Sequence, residues 1–260
     1  MNWDLIYLPN SVHPPHIGHV AHVMHTRGRF LSLQSCLRSH NIPDTVVRWG
    51  LVHDSDSTLE GERSQRQLLE WMGYPPEFEF RLRDYSSLSP DTLCFLLRME
   101  ERVAMNLKDS DLLRILALRD VREHVRGYDS QTLENGEKEK QIAAIFGFQY
   151  PIIRYAPLLV DEDGKKICAS NPEHEKYQVS FKWKPKELID YLGLCFDHPE
   201  PYVGFIEFVN NLYPDGISDA DMDAFVWSAK MWDHPLPYGG AYSGHPEVPI
   251  KIKDFNISGK

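Results

Sequence analysis

The sequence predicts an α/β fold with a mainly parallel sheet flanked by helices. Three observations carry this. Short apolar, β-branched runs alternate with stretches of helical period, the pattern of βαβ units. The 260 residues suit one large domain, or one domain with a small addition, against about 150 residues per domain. Hydrophobic residues make up 42 % of the chain, enough to bury a core of its own.

Taken in order, Leu5-Ile6-Tyr7-Leu8 is a short apolar run ended by Pro9-Asn10, as in a buried strand. Pro14-Pro15 bars regular structure until His16. Val20, Val23, Met24, Phe30, Leu31, Leu33 and Leu37 then recur at near-helical spacing, with Gly28 weakening the middle. Thr45 to Val52 reads as a second strand, closed by the acidic turn His53-Asp54-Ser55-Asp56. Glu60 to Met72 is a helix stopped by Gly73 and Pro75, and Ser89-Pro90-Asp91 opens another. Leu112 to Leu118 fits strand or helix equally. Lys138 to Phe146 is helical and ends at Gly147. Ile152 to Val160 reads as one strand, followed by the turn Asp161-Glu162-Asp163-Gly164. Pro185 starts a further helix carrying Leu188, Ile189, Tyr191 and Leu192. Beyond Pro199 the composition shifts toward aromatic residues, Pro and Gly. The expected organisation is a domain over 1–198 and a small C-terminal appendage over 199–260.

Charge and cysteine usage narrow the function. With 28 Lys and Arg against 38 Asp and Glu, the net charge is −10. This argues against a broad nucleic-acid face, which needs clustered cations, while leaving room for a local basic channel. No stretch approaches the roughly 18 apolar residues of a membrane helix, and no basic, apolar leader opens the sequence, so a cytoplasmic location without a membrane partner is expected. Cys36, Cys94, Cys168 and Cys195 form no CxxC pair, so they read as reduced. The first two and Cys195 are expected to be buried, and Cys168 to lie in a loop. Asp219, Asp221 and Asp223 read as acids at a helix start on a solvated face, not as a cation site.

The strongest chemical signal is His16-Ile17-Gly18-His19, placed after a strand and at the start of a helix. A glycine there lets a base or phosphate approach the backbone. The helix start offers unpaired N–H groups and partial positive charge. Two imidazoles can donate to phosphate oxygens as charge develops on them. A histidine-rich loop without a chemical role, or a metal site completed by His13, His22 and His25, are the alternatives.

These residues, together with others downstream, make the chain resemble the catalytic domain of class I aminoacyl-tRNA synthetases. The likeness is greatest to the glutamyl and glutaminyl branch, without its anticodon-binding domain. His16-Ile17-Gly18-His19 resembles the HIGH signature. Val47-Arg48 through Asp54-Ser55-Asp56, then Glu62-Arg63-Ser64 and Leu69-Glu70-Trp71-Met72-Gly73, are similar to the strand, acidic turn and helix that follow it. Val125-Arg126-Gly127-Tyr128-Asp129 resembles the branch's arginine-glycine-x-acid segment. Ala156 through Ile167 resembles the strand and turn leading into the second signature, KMSKS.

The resemblance implies a Rossmann-type (HUP-like) fold, with ATP and Mg²⁺ bound between the two signatures and an aminoacyl-adenylate formed there. It assigns His16, His19 and Lys166 to catalysis. Gly18, Arg126, Asp129, Leu159 and Lys165 would bind the nucleotide, Asp129 at its ribose. Tyr7, Asn10, Ser11, His53 and Asp54 would line the substrate pocket, and no protein-held metal is implied. Departures accompany the likeness. The second signature reads Lys166-Ile167-Cys168-Ala169-Ser170, with Ala169 where the family places its second lysine. Ile6 stands where glutamate enzymes hold the substrate carboxylate, and His53 where an acid meets the substrate's amino group. The expected function is a stand-alone enzyme that activates a small carboxylic or amino acid with ATP. Its acceptor would be a small molecule, a carrier or a tRNA acceptor end, with no anticodon recognition. Two alternatives stay open: a catalytically reduced paralogue that binds nucleotide, tRNA or a protein as a regulator, and an enzyme that uses aminoacyl-tRNA instead of ATP.

Overall fold

A computed structural model describes residues 3–9, 12–40, 42, 47–53, 56–81, 115, 118–119, 121–145, 147–168, 170–195, 203–231, 249–253 and 255–257. The helix expected to open at Ser89, and Cys94, lie outside them. Strands β1 (Trp3–Tyr7), β2 (Val47–His53), β3 (Phe78–Arg81), β4 (Val121–Gly127) and β5 (Ile152–Ala156) form one sheet. Its order is β3-β2-β1-β4-β5, and every pairing is parallel. This is a Rossmann-type arrangement, in which strand order reverses between β1 and β4 and opens a crevice at their carboxyl ends.

Side-chain alternation builds two cores. On β1, Leu5 and Tyr7 enter the larger apolar cluster while Ile6 enters the smaller one on the opposite face. Both faces are covered, as a parallel sheet requires. Ile115 and Leu118, within a stretch that periodicity left undecided, are buried in the smaller cluster.

Helix α1 (Ile17–Ser39) runs unbroken through Gly28. A Cβ at Gly28 would stand 2.7 Å from the Ala224 carbonyl oxygen and 2.8 Å from Ser228 Cβ. The glycine therefore lets α6 (Asp219–Met231) pack closely against α1. A buried ion pair also fastens α1 to the sheet: Arg29 donates twice to Glu123 of β4, at 2.6 and 2.7 Å.

Helix α2 (Leu59–Trp71) starts on Thr58, whose hydroxyl accepts the Gly61 N–H at 3.0 Å, and is followed by Gly73 at φ 83. Helix α3 spans Ser130–Ile145, so it begins well before Lys138, in polar turns that carry no apolar period. The single strand expected over 152–160 is two. β5 pairs with β4, whereas β6 (Leu159–Val160) leaves the sheet after Pro157 and pairs with β7 (Ile250–Lys251). Helix α4 spans Pro185–Leu194 and α5 spans Val203–Leu212.

Val209, Phe225, Trp227, Ile250 and Ile252 lie in the same apolar cluster as Leu5 and Tyr7. Two expectations are corrected. Cys36 and Cys195 are half-buried rather than buried, and Cys168 lies in a loop as expected. Asp221 and Asp223 are not simply solvated: they pair with Arg27 at 2.9 Å and Lys186 at 2.7 Å, tying α6 to its neighbours. Among the described residues, no helix is long and apolar enough to cross a membrane.

Candidate functional site

A cavity of about 350 Å³ opens at the carboxyl ends of β1 and β4, where the topology reverses. One wall is the start of α1. His16 is its N-cap, in extended backbone, and its Nδ1 accepts the Gly18 N–H at 3.0 Å. The His16 N–H donates in turn to Nδ1 of His19 at 3.1 Å. Two imidazoles thus form the reciprocal cap that Ser or Thr with Glu usually provides. Because each ring accepts at Nδ1, its neutral form carries the proton on Nε2. Both rings line the cavity, with centroids 4.2 Å apart. Burial, helped by Lys166 and His174, pushes His16 down to about 4, so it is neutral near pH 7.

Gly18 has a local reason beyond ligand access. A Cβ there would lie 2.6 Å from Cε1 of His16 and 2.8 Å from its Nδ1. Only glycine lets the histidine fold back onto the helix start.

The facing wall comes from β4, β5 and β6. Gly127, Asp129 and the Ala156–Leu159 corner line it, with Leu159 buried. Lys166 also lines the cavity, and its Nζ donates to Asp129 Oδ2 at 2.7 Å. The structure therefore brings together His16, Gly18, His19, Asp129, Leu159 and Lys166.

It separates the others. Arg126 is buried and donates to Glu139 of α3 at 2.6 Å, because its side chain leaves β4 on the face opposite Gly127. Lys165 is exposed and 3.6 Å from Glu173, away from the cavity wall. Tyr7 is fully buried, donates to Gln65 Oε1 at 3.2 Å and stacks on Trp49. Burial pushes its phenol well above the ordinary range. His53 is buried against Glu79 Oε1 at 2.7 Å and is not part of the lining. Neither Tyr7 nor His53 lies in the lining of this cavity. Asn10, Ser11, Asp54 and Ala169 lie outside the described residues.

His13, His22 and His25 join the lining. His22 follows His19 by one turn on α1, and its Nε2 is 2.9 Å from the Val125 carbonyl oxygen, to which it donates. Burial lowers His22, and burial with His22 nearby takes His25 down to about 3. Among the described residues, no group of three His, Cys, Asp or Glu side chains is placed to hold a metal ion. The sequence reading also missed His174. It is buried and contacts the backbone of Cys168 and the carboxylate of Asp161, and no local motif marks it.

A reversed strand order, a histidine-capped helix start and a lysine–aspartate pair meet at one crevice of the parallel sheet. Among solved structures, the chain is similar to tyrosyl-tRNA synthetase from Aeropyrum pernix, at 13 % identity and a TM-score of 0.50, covering 90 % of this chain and 83 % of that one. It is also similar to glutamate-tRNA synthetase from Elizabethkingia anophelis, at 10 % identity and a TM-score of 0.51, covering 90 % and 71 %. The fold is that of the class I aminoacyl-tRNA synthetase catalytic domain. No protein-family model and no curated protein matches the sequence.

Proposed function

We propose that this chain binds ATP and activates a small carboxylic or amino acid as its adenylate, for transfer to a small-molecule, carrier or tRNA acceptor. In that reaction a carboxylate oxygen bonds to the α-phosphorus, the bond to the β-phosphate oxygen breaks, and pyrophosphate leaves. The observation that carries the reading is the convergence of His16, Gly18 and His19 with Lys166 and Asp129 on one cavity. Two Nε2–H donors on a helix start suit phosphate oxygens, and the neutral His16 ring meets no charge repulsion from Lys166. Asp129 suits a ribose diol as acceptor. Gly127, Ala156 and Leu159 leave a small, apolar slot that suits a base. Mg²⁺ would be carried mainly by the substrate's phosphates and water.

Exchange of labelled pyrophosphate into ATP, run against a mixture of amino and carboxylic acids, tests the reaction; calorimetry with ATP tests the binding. Exchange with any acid supports the enzyme. ATP binding without exchange favours the reduced, regulatory reading, to which Ala169 and the Lys166–Asp129 pair lend weight. Turnover of aminoacyl-tRNA without ATP points to the remaining alternative. An absence of heat with ATP overturns the proposal.

A further inference from the structure

One short segment, 171–179, touches both loops that frame the cavity. At its first end, His174 is 4 % exposed and accepts the Cys168 N–H at Nδ1 (3.2 Å). With Nδ1 accepting, Nε2 carries the proton of the neutral ring and donates to Asp161 Oδ2 at 3.1 Å. The other oxygen of Asp161 accepts the N–H groups of Asp163 and Lys165 at 3.0 and 2.8 Å. A single buried imidazole therefore joins both ends of the turn that carries Lys166. At the other end, the Val179 N–H donates to the Pro15 carbonyl at 2.9 Å, and Gln178 forms an antiparallel bridge with His16. Between them Tyr177, 1 % exposed, packs edge-on against His174 and anchors the segment in the core.

We propose that His174 is a positioning residue. Through this strap it sets the Lys166 loop at a fixed distance from the His16–His19 pair, and so shapes the phosphate end of the site rather than the nucleoside end. The proposal rests on the nucleotide reading above. Its selectivity follows from the architecture. Gly18, Gly127 and Ala156 are held by α1 and the sheet, whereas the turn over 161–168 is joined to the strap through Asp161 and His174, beside its own Lys166–Asp129 pair and the Ile167 N–H to Leu159 carbonyl bond.

Calorimetric titration of the full chain with ATP and, separately, with adenosine tests this. Loss of the tie should displace the lysine, and a shift of about an ångström forfeits much of a charge-assisted contact. His174→Ala should therefore weaken ATP by about tenfold or more. Adenosine should move by less than about twofold, and His174→Gln, which keeps one acceptor and one donor, should recover most of the ATP affinity. Asp161→Asn breaks the same tie from the other side and serves if His174→Ala does not fold; it should show the same ATP-selective loss. Equal weakening of both ligands, or no change in either, overturns the positioning role. If the wild-type chain binds neither ligand, the nucleotide reading falls first and the inference falls with it.

Discussion

At the scale of single residues, the site depends on histidines that stay neutral and on a glycine that gives them room. Gly18→Ala places a Cβ within 2.6 Å of the His16 ring, so the ring must leave the helix start. The cap is then lost, costing about 1 kcal/mol of stability, and with it the phosphate donor proposed for His16. Thermal melts and ATP titration should both register the change; an intact ATP affinity would remove His16 from the site. His19→Asn should lower pyrophosphate exchange by about 10²–10³, the usual effect of deleting one such donor. The same rings make stability pH-dependent. His16 sits at about 4 and His25 at about 3, both below the ordinary histidine value of 6.5, so the unfolded chain takes up protons first as pH falls. Stability is therefore full above about pH 6.5 and declines toward pH 4, by about 1.4 kcal/mol per pH unit for each ring. Urea midpoints at about pH 7.5 and about pH 5.5 should differ in that direction.

At the scale of elements, α1 is the piece that everything else grips, from the sheet on one side and α6 on the other. Gly28→Ala offers a test of which force decides. Helix propensity favours alanine by about 1 kcal/mol. Against that, the new Cβ meets the Ala224 carbonyl at 2.7 Å and Ser228 at 2.8 Å, and such overpacking costs about 1–3 kcal/mol. Close contact with backbone cannot relax by a rotamer change, so the variant should melt lower than wild type; a rise would show that α6 can shift outward. Glu123→Gln leaves the buried Arg29 without its charge partner. Burial opposes ionisation of this carboxyl, but Arg29 and Arg154 hold it below the usual carboxylate range. Breaking such a pair from one side costs about 3–5 kcal/mol, readable in urea unfolding.

At the scale of the whole molecule, the larger apolar cluster runs from β1 through α6 to β7, so we expect the residues after 198 to unfold with those before it. Trp227→Ala should therefore cost about 3–5 kcal/mol, as for a buried aromatic truncated in a core, with a single cooperative transition lowered throughout. Two separate transitions, with the residues before 198 unaffected, would instead show an independent appendage.

The sequence by itself determined the alternation of strands and helices, the turn at Pro14-Pro15, and the helix start at His16-Ile17-Gly18-His19. Those are local properties: period, proline geometry and the freedom of glycine are written within a few residues. It could not say which way Arg126 points, since neighbouring positions on a strand face opposite sides and only the packing of α3 shows which side holds Glu139. Tyr7 and His53 likewise sit in the expected segments but turn into the core and toward Glu79. His174 carries no motif at all. Its role comes from meeting Cys168 and Asp161 in space, and the tight contact of Gly28 comes from a helix about 190 residues further along the chain. Such long-range pairings are decided by the closing of the whole core, which no local pattern records.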